Sequence, residues 1–292
     1  MYHRVAPRSG DLWNICIEPD RFAEQIEALK RVREVVPLDE VLACRERGRR
    51  SARPLAAVTF DDGYRDSVDA ALPILERLDC PATVYVVTGL VGTNKAFWWD
   101  ELVRLIMTAP ASSPPLKLQF GHVVKAWPVP DDDAGRRKVC GNVRRWLRHA
   151  SPDRIDEKLD EAAAWAGASR GAPDADRAMT PEEVGRLSGS LVTIGAHTVN
   201  HPSMPELSAE AQLREIAESR RACEAWTGKP VTQFAYPFGD YDRSSMAAAR
   251  TAGFASACAT TPGVVRPWTD PLRIPRIVTG NMDGEALSRL LA

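Results

Sequence analysis

The sequence predicts an α/β fold built on parallel strands, either an open sheet or a (β/α) barrel. Three observations predict it. Short apolar runs alternate along the chain with segments of helical periodicity. Runs such as residues 82–87 are apolar throughout, as strands covered on both faces must be. The residues able to do chemistry fall directly after such runs, where α/β folds collect their active sites.

In chain order, residues 22–32 form a helix, followed by a short strand near Val35 and Val36. Residues 56–60 read as a buried strand entering Asp61 and Asp62. Residues 66–78 carry Val68, Leu72, Leu75 and Leu78 at helical spacing. Residues 82–87 and 191–196 are further strands, the second leading into His197. Residues 208–226 form a helix, with Ser208 and Glu210 fitting its N-terminal signal. Residues 234–236 make a short strand ending at Pro237-Phe238-Gly239, and residues 242–252 a helix stopped by Gly253. Residues 254–260 and 273–278 close the series as strands.

Residues 93–179 break this rhythm. Phe97-Trp98-Trp99-Asp100 heads a helix, a Pro/Ser stretch follows at 110–115, and helical patterns cover 136–149 and 152–166. The expected division is therefore 1–92 and 180–292 as two parts of one α/β body, with 93–179 a mostly helical insertion or lid. Phe97, Trp98 and Trp99 fit a packing anchor better than a sugar-stacking platform.

The 292 residues carry a formal net charge of −1, and no basic block stands out. Nucleic acid is not an expected partner. The arginine-rich stretches at 45–50 and 144–148 read as solvated helix faces. No stretch approaches the length of a membrane span. No secretory signal pattern is visible, and the six cysteines are dispersed without a C-x-x-C. They read as free thiols in a reducing compartment, so a cytoplasmic location is expected. Met1 runs straight into a strand-like segment, which leaves room for a missing leader or upstream domain. The sequence does not set the oligomeric state.

Two short motifs carry the chemistry: Thr59-Phe60-Asp61-Asp62-Gly63 and His197-Thr198-Val199-Asn200-His201. Histidines at i and i+4 share a face if the segment forms a helical turn. One carboxylate and two imidazoles are a ligand set for zinc or a similar divalent ion, with positions left open. The second carboxylate is available as a base, which completes the parts of a metal-assisted hydrolase. A lone D-D-G also makes an ordinary turn. Both motifs in this order, each after a strand, are far more specific.

The two motifs resemble those of the polysaccharide deacetylases, the NodB-homology enzymes of carbohydrate esterase family four. The first matches in full, and the second matches the pattern His-Ser/Thr-x-x-His. The resemblance covers roughly residues 1–92 and 180–280. It implies an α/β fold of the NodB type, a distorted (β/α) barrel with a helical insertion. It also implies a metal-dependent hydrolase that removes N-acetyl groups from amino sugars of a polysaccharide or glycoconjugate, releasing acetate. By this resemblance Asp62, His197 and His201 would hold the metal, zinc first, with cobalt, nickel or manganese also able to occupy such a site. Asp61 would be the general base.

The family's third motif, Arg-x-Pro-Tyr, is altered here to Ala235-Tyr236-Pro237-Phe238. The arginine that would orient the base is missing. Phe238 can still offer its main-chain N–H to an oxyanion. Arg276, in Ile274-Pro275-Arg276-Ile277, is either the replacement charge or a surface arginine. Many relatives donate the final proton from a late histidine, yet none follows His201. The chain instead opens Met1-Tyr2-His3-Arg4-Val5, similar to circularly permuted members that carry this motif at the N-terminus. His3 is therefore the expected general acid, against the alternative of a frayed terminal residue. Asp240 and Tyr241 would line the cleft, while His122 and His149 lack ligand spacing and read as surface residues. Two rival functions stay open. One is a deformylase or other linear amide hydrolase on the same site; the other is a glycan-binding module without hydrolysis.

Overall fold

The computed structural model describes residues 1–7, 10–46, 53–189 and 191–291. The chain forms two compact units, one of Met1–Gly92 with Met179–Ala292 and one of Thr93–Ala178. Part of the arginine-rich stretch at 45–50 lies outside the described residues.

The first unit is built on six parallel strands. In spatial order they are Val58–Phe60, Ala82–Val86, Val192–Ala196, Gln233–Ala235, Ser256–Pro262 and Ile274–Arg276. Val84 stands beside Phe60 on one side and Ile194 on the other, and Phe234 stands between Ala196 and Ala257. Because every strand runs the same way, the residues that follow them issue from one end. The interior strand Ala82–Val86 is buried along its whole length, which is why its sequence is apolar on both faces. Its side chains alternate between two apolar clusters: Val84 and Val86 join one, and Tyr85 joins the other with Ala235, Cys258 and Ile274.

The N-terminal segment closes the sheet. Tyr2 bridges Phe60 in parallel; its N–H donates to the Thr59 carbonyl at 2.8 Å, and its carbonyl accepts the Asp61 N–H at 3.0 Å. On the opposite edge the Met1 nitrogen donates to the Ile277 carbonyl at 2.8 Å. Both edge strands are thus bonded to one short stretch, giving a distorted (β/α) barrel. The Tyr2 ring packs with Phe22 and Phe60 at centroid distances of 5.0 and 5.4 Å. Arg4–Val5 then pair in parallel with Cys16–Ile17. The Arg4 Nε donates to Asp66 at 2.8 Å, and the Val5 N–H donates to the same carboxylate at 3.1 Å.

Several elements differ from the sequence reading. The helix expected over 66–78 is a π-helical segment, Ser67–Ala71, that tightens into the α-helix Leu72–Arg77. The first helix spans Pro19–Val32, because proline at its start already has the helical φ. Three further helices were not anticipated: Leu38–Glu46, Pro181–Leu187 and Gly284–Leu291. Each is short, so little periodicity builds up in it. The middle one is fixed instead by a capping box between Thr180 and Glu183.

The second unit contains the helices Trp98–Thr108, Asp133–Leu147 and Pro152–Ala166 and an antiparallel hairpin, Leu116–Phe120 with Val123–Trp127. The hairpin adds two short strands that the sequence reading did not name in this segment. Its period-2 pattern, Leu116 and Leu118 buried with Lys117 and Gln119 exposed, lies directly behind the Pro/Ser stretch. Phe97, Trp98 and Trp99 are buried and pack ring to ring, and His122 and His149 are exposed.

The Gly92 N–H donates to the Met179 carbonyl at 3.0 Å, so the first unit's chain breaks off and resumes at adjacent points. All six cysteines are free. Among the described residues no helix is long and apolar enough to cross a membrane.

Candidate active site

Asp61 and Asp62 follow the strand Val58–Phe60, His197 follows Val192–Ala196, and Phe238 lies three residues beyond Gln233–Ala235. Parallel strands therefore deliver all four to one end of the barrel. Asp62, His197 and His201 are buried at 3%, 1% and 5% exposure. The Asp62 Oδ1 lies 3.6 Å from the His197 Nε2 and 3.4 Å from the His201 Nε2. The three ligand atoms all fall within 4.8 Å of one another.

That spacing fits a metal ion. With metal–ligand bonds of about 2.0–2.2 Å and tetrahedral angles, ligand atoms stand about 3.3–3.6 Å apart. The second hydrogen bond of the imidazole fits as well. His197 Nδ1 lies 2.7 Å from the Ala235 carbonyl. A carbonyl only accepts, so Nδ1 carries the proton and Nε2 keeps its lone pair toward Asp62. Burial holds the His197 pKa below its ordinary value despite the Asp61 charge, which keeps the ring neutral and able to ligate.

The segment His197-Thr198-Val199-Asn200-His201 is not the helical turn that the i, i+4 spacing suggested. It is an irregular loop in which Thr198 and His201 both have positive φ, 64° and 55°. The histidines converge through this reversal. The Thr198 Oγ1 accepts the His201 N–H at 3.0 Å. The loop is gripped on two sides. Thr88 and Gly89 donate their N–H groups to the Thr198 and Val199 carbonyls at 3.1 and 2.8 Å. Glu215, on the helix Ala209–Thr227, accepts from the Val199 and Asn200 N–H groups at 2.9 Å each and from the Asn200 side chain at 2.7 Å. Nothing in the sequence singled out Glu215, which looks like one more charge on an amphipathic helix.

Among the described residues seven non-glycines have positive φ, and four of them, Asp62, Thr198, His201 and Phe238, belong to this site. Such conformations cost about 1–3 kcal/mol each and persist where the surroundings over-determine them. Their concentration here marks the strand ends as the functional region. The Phe238 ring meets the His201 ring edge-to-face at 4.5 Å. The Phe238 carbonyl accepts from the Thr260 hydroxyl at 2.9 Å. Asp240, two residues on, accepts from the Ser203 hydroxyl at 2.9 Å.

Asp61 is 2% exposed and is met by Arg276. The two Nη atoms donate to its two oxygens at 2.7 and 2.6 Å. The Arg276 Nε donates to the Ala259 carbonyl at 2.9 Å, which fixes the fork. Arg276 is therefore not a surface residue. Burial alone would raise the Asp61 pKa, but Arg276 outweighs it, with His197 and His3 adding, and holds the carboxyl well below the usual range. His3 stands within electrostatic reach of Asp61, Arg276 and His197. Burial lowers its pKa most; Asp61 pulls the other way, Arg276 and His197 add to the lowering, and the result is about 4.

A family model for polysaccharide deacetylase matches residues 48–111 and 151–257, more than half of the chain and both motifs. The match reaches further into the middle of the chain than the sequence resemblance did. The chain is 25% identical over 109 residues to "Putative polysaccharide deacetylase YxkH" of Bacillus subtilis, 37% of this chain and 39% of that protein. It is also 24% identical over 266 residues to a tRNA-guanine(15) transglycosylase of Methanopyrus kandleri, 85% of this chain and 54% of that protein. The chain thus spans well under two thirds of either relative. Among solved structures, the fold is similar to that of the Streptococcus pyogenes deacetylase PplD in complex with acetate. That similarity has a TM-score of 0.65 at 18% identity, over 100% of this chain and 96% of that one.

Proposed function

The chain belongs to the polysaccharide deacetylase family, and from that premise we propose that it hydrolyses N-acetyl groups on amino sugars of a polysaccharide or glycoconjugate. One observation carries the reading: the buried triangle of Asp62, His197 and His201 stands directly beside the Asp61–Arg276 pair. Asp62, His197 and His201 would hold a divalent ion, zinc first. When bound, that ion supplies Lewis acidity at the acetyl carbonyl and makes water acidic enough to be deprotonated near neutral pH.

In this reading Asp61 is the base. Arg276 keeps it ionised and holds both oxygens in a fixed plane, so it takes a proton from the attacking water without reorienting. The Phe238 N–H donates to the oxyanion that forms on the acetyl oxygen. His3 protonates the departing amine. Its low pKa makes it neutral at pH 7, so the proton it passes on is gained during turnover, with Asp61 as the source. A catalytic N-terminal histidine on the segment that closes the barrel is what a circularly permuted arrangement of the family's last motif would produce.

Acetate release from N-acetylglucosamine oligomers and from N-acetylated glycolipids tests the reading. Release that disappears on chelation and returns with zinc is expected. A zinc-loaded protein that releases no acetate from any amino sugar but cleaves a formamide would overturn it in favour of another amide hydrolase.

A further inference from the structure

Between the two ligand histidines lie three residues whose backbone has no regular secondary structure. A loop of this kind has no internal ladder to hold it, so its amides must be satisfied from outside. The outside partner on one side is a single carboxylate, which accepts three hydrogen bonds of 2.7–2.9 Å. Both backbone N–H groups go to the same oxygen, Oε2, and the Asn200 amide to Oε1. Thr88 and Gly89 take the loop's carbonyls on the other side. The Thr198 and His201 backbones are both left-handed, a conformation that relaxes unless it is held.

We propose that Glu215 is a positioning residue for the metal site. Its carboxylate locks the Val199–Asn200 backbone so that His197 and His201 present Nε2 toward Asp62 before any ion arrives. This rests on the metal-site reading above and adds a residue outside the ligand set. Charge-assisted bonds to backbone N–H groups are stronger than neutral ones, and partners behind metal ligands typically govern affinity by about 10–100-fold.

The test uses the full chain and zinc alone. Glu215→Ala should weaken zinc binding, measured by chelator competition, by about 10–100-fold. It should also speed amide hydrogen exchange at Val199 and Asn200 in the zinc-free protein. Glu215→Gln keeps one oxygen for both backbone N–H groups, and Asn200 can turn its own oxygen toward the new amide. This variant should restore zinc affinity to within a few-fold of wild type and keep the slow exchange. It also guards against a Glu215→Ala protein that fails to fold. Unchanged zinc affinity and unchanged exchange in Glu215→Ala would overturn the proposal, as would a Glu215→Gln protein no better than the alanine variant. If the wild type binds no zinc, the metal reading itself fails, and the exchange rates still show whether Glu215 holds the loop.

Discussion

Asp61 and Arg276 meet fork to fork across 215 residues of chain, at 2.7 and 2.6 Å, with both side chains at 5% exposure or less. The arginine comes from the last barrel strand and the aspartate follows the first of the six. The carboxylate proposed as the base is thus held by a charge that the local motif around Ala235 lacks.

Arg276→Met should leave Asp61 as an uncompensated buried charge. Removing one partner of such a pair costs about 3–5 kcal/mol, to be read from urea unfolding. With Arg276 gone, burial is left to raise the Asp61 pKa, so the base protonates at higher pH. The acidic limb of the activity profile should move upward in pH, and a profile that does not move would remove Arg276 from this role.

Asp61→Asn keeps the shape of the site but cannot accept a proton. Turnover should fall by about 10²–10⁴-fold, the usual contribution of a positioned base, with zinc content unchanged by metal analysis. Retained turnover would move the base elsewhere.

Much of this was legible in the sequence. Apolar runs announced most of the barrel strands, because a parallel strand buried on both faces has no other way to be written. The two motifs are contiguous, so Asp61, Asp62, His197 and His201 could be picked out by spacing. The manner of convergence was not legible: i, i+4 spacing suggests a helical turn, while left-handed Thr198 and His201 bring the rings together in a loop. Arg276 stood in the sequence as either a replacement charge or a surface arginine, and its fork onto Asp61, 215 residues away, decides between them. Glu215 reads as one more helix charge until the fold brings the loop at Val199 and Asn200 to it. The hairpin Leu116–Phe120 with Val123–Trp127 hid for a local reason, since only its first strand alternates, over five residues, and no residue of the second is buried.

Zinc added to chelated protein should raise its stability by about 2.7 kcal/mol at a hundredfold excess over the dissociation constant. Asp62→Asn and His197→Ala should lose most of that gain. Thermal unfolding with and without zinc checks it; equal stabilisation in the variants would place the ion elsewhere.

His3 gives a pH dependence in the zinc-free protein. Its folded pKa of about 4 lies below the ordinary histidine value, so the unfolded chain binds more protons between about 4 and 6.5. The stability it contributes is fully present above about 6.5 and is lost as pH falls toward 4. His3→Gln should flatten that stretch of the stability curve, measured by urea unfolding across it. An unaltered slope would mean that His3 is not held neutral by its surroundings.

Gly89 allows a close approach rather than an unusual φ. A Cβ at this position would stand 2.7 Å from the Val199 carbonyl oxygen. Gly89→Ala must therefore push the histidine loop away, and zinc affinity should fall by about tenfold or more. Unchanged affinity would show that the loop yields without moving its ligands.

The hydrogen bond from Gly92 to Met179 has a meaning for how such a chain diversifies. Where two points of a backbone stand one hydrogen bond apart, the stretch between them can be exchanged for a short turn or for another module without opening the barrel. Residues 93–178 occupy a socket of this kind. Cutting them out and joining Gly92 to Met179 through a two- or three-residue turn would leave every strand of the sheet continuous.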